Sequence, residues 1–126
     1  MAAVNLTMDK LEDTLKNNDI VLIDFWAEWC GPCKMFGPVY ESVSEKHPDI
    51  AFTKVNTEQE QELAGAFGIQ SIPTLAIFRD NILIFKQPGA LPQEALEDII
   101  KQVRDLDMDE VRAEVEKQKA EQAQAN

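Results

Sequence analysis

Residues 20 to 34 read "IVLIDFWAEWCGPCK". The first seven, 20 to 26, are strand-forming and apolar on both faces, the pattern of a central strand in a sheet covered on both sides. One carboxylate, Asp24, interrupts them. Cys30 and Cys33 follow directly, two residues between them, where the apolar run gives way to a helix with Pro32 in its first turn. A carboxylate in a buried strand, just upstream of two thiols, calls for a chemical explanation.

Working outward, Met8, Leu11 and Leu15 recur at helical spacing after Thr7, an N-cap residue, so a first helix is expected over about 7 to 17. The helix that opens at the cysteines should run to about 46 and stop at His47-Pro48, with Pro38 kinking it. "IAFTKVN" (50 to 56) is the next strand, and "EQEQELAGAF" (58 to 67) a short helix stopped by Gly68. "TLAIF" (74 to 78) and "ILIFK" (82 to 86) flank "RDN", a hairpin in which Asn81 takes a left-handed conformation. Leu96, Ile99, Ile100 and Val103 mark a last core helix over about 92 to 104. The order predicts an α/β protein: a central mixed sheet of about five strands, one antiparallel hairpin, and about four flanking helices.

The chain has 126 residues, 44% of them hydrophobic, which suits one domain with one packed core. Its formal net charge of −11 argues against nucleic acid or an anionic membrane as a partner, because both require basic patches. No stretch approaches the roughly 18 to 20 apolar residues of a membrane span. The start "MAAVNLTMDKLEDTLKNND" lacks a basic segment followed by an apolar core, so no signal peptide and a cytoplasmic location are expected. There, a lone cysteine pair is more often catalytic or metal-binding than a structural staple.

Cys30 and Cys33 are spaced to close a small disulfide ring. Cys30 falls at the helix N-terminus, where unpaired N–H groups and the helix dipole stabilise a thiolate. A thiolate favoured in this way has its pKa lowered from about 8.5 and attacks disulfides near neutral pH. Cys33, one turn further in, should be more buried and less acidic. The pair divides into an exposed nucleophile and a resolving thiol that attacks the mixed disulfide. Zinc is the competing reading, but it wants four ligands, and the chain adds only His47 to the two cysteines. No metal is therefore expected, and His47 is expected at the surface near a helix end. Burial without a cationic neighbour would raise the pKa of Asp24, fitting it to take the Cys33 proton. Two other readings stay open: Asp24 lies at a wet sheet edge, or it merely satisfies a backbone donor.

"FWAEWCGPCK", the preceding Asp24 and "SIPT" (71 to 74) resemble the thioredoxin family, and the similarity covers about residues 3 to 104. The resemblance implies the thioredoxin fold, with Asp24 beneath the cysteines as proton acceptor and Lys54 close enough to modulate it. Gly31-Pro32 between the cysteines points to the reducing branch of that superfamily. Pro73, trans by base rate, is implied to be cis and to face the cysteines, leaving the Ile72 backbone to pair with an extended substrate segment. Trp29, Gly31, Pro32, Ile72, Gly89 and Ala90 would form a flat apolar rim for many partners, with Trp26 in the core behind it. The implied activity is reduction of protein disulfides by a monomer with no bound cofactor, through reversible exchange at Cys30 and Cys33. An NADPH-dependent flavoprotein reductase would then regenerate the dithiol.

The sequence departs from the family in three places. Asn81 stands where the hairpin usually has glycine, and Thr57-Glu58 where acidic residues are commoner. Pro88 precedes Gly89 in the substrate-facing loop, which bears on partner preference. Residues 105 to 126 lie outside the resemblance. They hold seven acidic and three basic side chains, no proline and no glycine, with opposite charges at helical spacing such as Arg112 with Glu116. They are expected to form a solvated helical extension or a frayed tail after a domain of residues 1 to 104. The alternative function is an interaction module in which this acidic tail docks a partner.

Overall fold

The computed structural model describes residues 3 to 125; the ends of the expected domain and tail at Met1, Ala2 and Asn126 lie outside the described residues. In chain order the elements are β1 (Val4–Asn5), α1 (Met8–Asn17), β2 (Ile20–Trp26), α2 (Gly31–Lys46), β3 (Ala51–Asn56), α3 (Gln61–Ala66), β4 (Thr74–Arg79), β5 (Ile82–Pro88), α4 (Gln93–Arg104) and α5 (Met108–Ala125). The strands form one sheet in the order β1-β3-β2-β4-β5. β3 runs parallel to β1 and β2, while β4 runs antiparallel to β2 and β5. The doubly apolar β2 therefore sits at the centre, as its composition requires.

Strand parity sorts the core into two layers. Ile20 and Leu22 of β2 and Phe52 of β3 pack with Phe36, Tyr40 and Val43 of α2 and Leu96, Ile100 and Val103 of α4. The odd-numbered Val21, Ile23 and Phe25 pack on the opposite face with Leu15 of α1, Val55, and Leu63 of α3. Successive side chains alternate across a strand, so Asp24, Trp26 and Lys54 fall on the α2 face with the even-numbered residues. The helix that carries the cysteines is thus the one laid over the Asp24 carboxylate. Tyr40, fully buried, fixes that helix to the sheet by donating to the Thr53 carbonyl at 2.8 Å.

Several elements differ from the sequence expectation, each for a physical reason. β1 is only two residues long, too short for alternation to register, yet it pairs Val4 and Asn5 with Thr53 and Lys54. α3 starts at Gln61 rather than near 58, because the Asn56 side chain accepts from the Glu58 and Gln59 amides and holds that segment in a turn. In the hairpin both Asp80 (φ 52°) and Asn81 (φ 64°) are left-handed, the conformation of a two-residue type I′ turn.

Residues 108 to 125 form a helix rather than a frayed tail. Asp107 caps it, accepting from the Asp109 and Glu110 amides. Arg79 at the end of β4 anchors the corner, donating to the carbonyls of Val103, Arg104 and Leu106. Met108 is buried, and Arg112 reaches Asp80 at 3.2 Å. Among the described residues, no helix is long and apolar enough to cross a membrane.

Candidate functional site

Cys30 is the N-cap of α2, and Cys33 sits in its first turn behind Pro32. The two are joined in a disulfide with their Cα atoms 5.2 Å apart. The Cys30 Sγ accepts from the Cys33 N–H at 3.2 Å. In the reduced protein the same donor and the N-terminal end of the helix dipole would hold a thiolate at this sulfur. The expected difference in burial between the two cysteines is not found: Cys30 is 3% exposed and Cys33 5%. The loop before β4 reaches Cys30, with the Ile72 carbonyl against its sulfur. What distinguishes them is the helix end, which serves Cys30 alone.

That loop contains the cis Ile72–Pro73 peptide, as the resemblance implies. The Ile72 carbonyl oxygen lies 3.7 Å from the Cys30 Sγ. Gly89 reaches the loop from the other side, donating its N–H to the Pro73 carbonyl at 2.8 Å with a φ of +108° that favours glycine. The structure thereby brings Cys30, Ile72, Pro73 and Gly89 together. Gly31, Pro32, Gly89 and Ala90 are exposed, Ile72 is half-buried and Pro73 is buried. Trp29 is 69% exposed and lines a groove of about 600 Å³ with Ile72 and Ile69. Met35, in the first turns of α2, is also largely exposed. Sequence reasoning missed it because helical spacing alone does not say which side of α2 faces the sheet.

Asp24 is 1% exposed on the central strand, paired in register with Lys54 of β3 and Leu75 of β4. A wet sheet edge is therefore ruled out. Its Oδ1 is buried with no hydrogen-bond partner, so it is not there to satisfy a backbone donor either. Burial raises the carboxyl from 3.8 to about 7, and the Lys54 ammonium partly opposes that rise. A group poised near neutrality can accept and return a proton at physiological pH.

Trp26 is not a core residue. It is half-buried, with the Lys54 ammonium 5.0 Å from its ring centroid, and it lines a cleft with Cys33 and Lys54. As the last residue of β2 on the α2 face, it has no further strand to cover it. His47 is at the end of α2, as expected, half-buried in a small network: Nε2 lies 2.5 Å from Glu97 and Nδ1 2.9 Å from Arg104, which also binds Asp49. Among the described residues, no three His, Cys, Asp or Glu side chains converge as a metal site.

The thioredoxin family model matches residues 2–102. The chain is 59% identical over 119 residues to a putative thioredoxin 2 of Streptomyces coelicolor, covering 94% of this chain and 89% of that protein. It is 39% identical over 101 residues to a thioredoxin of Bacillus subtilis, covering 79% and 96%. Among solved structures, a thioredoxin mutant from Halobacterium salinarum superposes with a TM-score of 0.77 at 36% identity, covering 83% of this chain and 93% of that one. The oxidised mitochondrial thioredoxin 3 of Saccharomyces cerevisiae gives 0.73 at 35% identity, covering 79% and 94%. A cysteine pair at a helix head over a buried acid, in a chain this similar to thioredoxins along most of their length, means that the protein belongs to the thioredoxin family of thiol–disulfide oxidoreductases.

Proposed function

We propose that this oxidoreductase works in the reducing direction, with Cys30 as the attacking thiolate, Cys33 as the resolving thiol and Asp24 as the proton acceptor. Membership of the family implies disulfide-containing substrates and a partner reductase. The Cys30 thiolate attacks one sulfur of a target disulfide, and the other sulfur leaves with the bonding electron pair. Cys33 then gives its proton to Asp24, and its sulfur attacks the Cys30 sulfur. The second substrate thiolate is released, and the Cys30–Cys33 disulfide remains. Two electrons have passed to the substrate, and an NADPH-dependent flavoprotein reductase restores them. Lys54 moderates the Asp24 carboxyl from the neighbouring strand. Trp29, Gly31, Pro32, Ile72, Pro73, Gly89 and Ala90 receive the substrate segment, the Ile72 backbone pairing with it as a strand would.

The observation that carries this reading is the place of the Cys30 sulfur, at the N-cap of α2 and accepting from the Cys33 N–H. That position divides the labour between two equally buried thiols. Residues 1 to 104 act as the redox domain, as a monomer in the cytoplasm, and residues 105 to 126 as its extension. The alternative of a docking module with incidental redox chemistry is not favoured, since the family match spans the domain and retains its cysteine pair. The test is trapping: Cys33→Ser should accumulate a covalent adduct with a disulfide-bonded substrate protein, and Cys30→Ser should form none. Adducts of equal yield from both variants would overturn the assignment.

A further inference from the structure

We propose that Glu41 is a second carboxylate in the proton path, carrying protons between Asp24 and bulk solvent through the cleft beside Cys33. The inference rests on the roles given above to Asp24 and Cys33, and deepens them. Cys33, Gly37 and Glu41 recur every four residues, so they stack along one face of α2. They form one wall of a cleft of about 420 Å³ whose other wall carries Trp26, Glu28 and Lys54. Gly37 keeps that wall open: a Cβ placed on it meets nothing within 4 Å. Both carboxylate oxygens of Glu41, the Trp26 Nε1 and the Asp24 Oδ1 are buried without a hydrogen-bond partner in the chain.

Leaving buried polar atoms unpaired is costly, so those of Trp26 and Glu41, both lining the cleft, point to water held there rather than to dry packing. The charged and titratable groups that face it are Lys54 from β3, Glu28 from the loop after β2, and Lys34 and Cys33 from α2; Asp24 is two residues before Trp26 on β2, paired with Lys54. At 1% exposure, Asp24 is nearly sealed from solvent. When Asp24 already holds a proton it must lose it before it can take the one from Cys33. That proton moves along the cleft to a Glu41 oxygen and from there to solvent. Asp24 then accepts the Cys33 proton as the Cys33 sulfur bonds to Cys30 and the substrate thiolate leaves. Glu41 ends the cycle unchanged.

The test is single-turnover resolution of a preformed mixed disulfide on Cys30, in dilute buffer, at pH 6 and at pH 8. At pH 6 most Asp24 is protonated and must discharge; at pH 8 most is already ionised. Glu41→Gln should slow resolution about threefold or more at pH 6, leave it unchanged at pH 8, and recover the wild-type rate when excess imidazole supplies a mobile base. Gly37→Leu, which places a side chain in the open space, should slow the same step at pH 6. Equal rates for Glu41→Gln and wild type at pH 6 would overturn the proposal. So would slowing of the same size at both pH values, or slowing that imidazole does not relieve. Asp24→Asn measured in parallel separates the two ideas. If it is slow while Glu41→Gln is normal, only the role of Glu41 fails; if it resolves at the wild-type rate, the role of Asp24 fails.

Discussion

Replacing Asp24 with asparagine keeps the shape of the side chain and removes its titration. In the folded protein, burial holds the carboxyl at about 7 instead of 3.8, with Lys54 limiting the rise. At about 1.36 kcal/mol per pH unit, ionising it in the folded state costs about 4 kcal/mol more than in the unfolded chain. The folded pKa of this acid is raised, so the folded state binds more protons than the unfolded state between those two values. The associated stability is fully present below about pH 4, is lost as the pH rises through about 7, and then stays level. Of that loss, about 2 to 3 kcal/mol falls between pH 5 and pH 8. The asparagine variant has no such dependence. Its stability relative to wild type should therefore grow by about 2 to 3 kcal/mol from pH 5 to pH 8, measured by urea unfolding of the oxidised proteins, in which no thiol titrates. A difference that stays constant within about 0.5 kcal/mol across this range would refute the reasoning, because Asp24 would then titrate alike in both states.

Three further outcomes follow from the same geometry. Asp24→Asn should slow resolution of the mixed disulfide at pH 7 by about tenfold or more while leaving the first attack by Cys30 nearly intact, as rapid-quench kinetics would show; equal rates of resolution would remove Asp24 from the mechanism. Tyr40→Phe removes the buried hydroxyl's bond to the Thr53 carbonyl and should cost about 0.5 to 1.5 kcal/mol in urea unfolding, against no change if that contact is idle. Arg79→Met removes the donor shared by three carbonyls at the α4–α5 corner, so amide exchange at residues 104 to 108 should quicken about tenfold or more while β2 stays protected. Unchanged exchange at that corner would mean α5 is held in place by something else.

Where the chain alternates or repeats over many residues, its structure was legible without coordinates. The doubly apolar 20 to 26, the helical stripe 96 to 103 and the paired runs around Asp80-Asn81 each became the element their pattern implies. β1 escaped because two residues carry no period, and the start of α3 because one asparagine side chain competes for its first amides. The tail was ambiguous because its apolar stripe is thin; a single arginine on another strand and one capping aspartate settle it as a helix. At the site, Cys30, Cys33 and Asp24 could be read from local spacing. Trp26 could not, since its half-burial depends on where β2 ends against the neighbouring strands. Nor could the burial of Cys30, against which a residue 42 positions away is laid. Glu41 was within reach, eight residues past Cys33 on the same helical face, but a carboxylate on a helix carries no signal until the opposite wall is known.

The most direct test of the central claim is the reduction potential of the Cys30–Cys33 pair, measured by equilibration against glutathione buffers. Thioredoxins as a class stand in the reducing range. A potential near or below about −250 mV is expected if the pair works as a reductant. A value between about −180 and −120 mV would contradict it, placing the protein among oxidants and isomerases of disulfides.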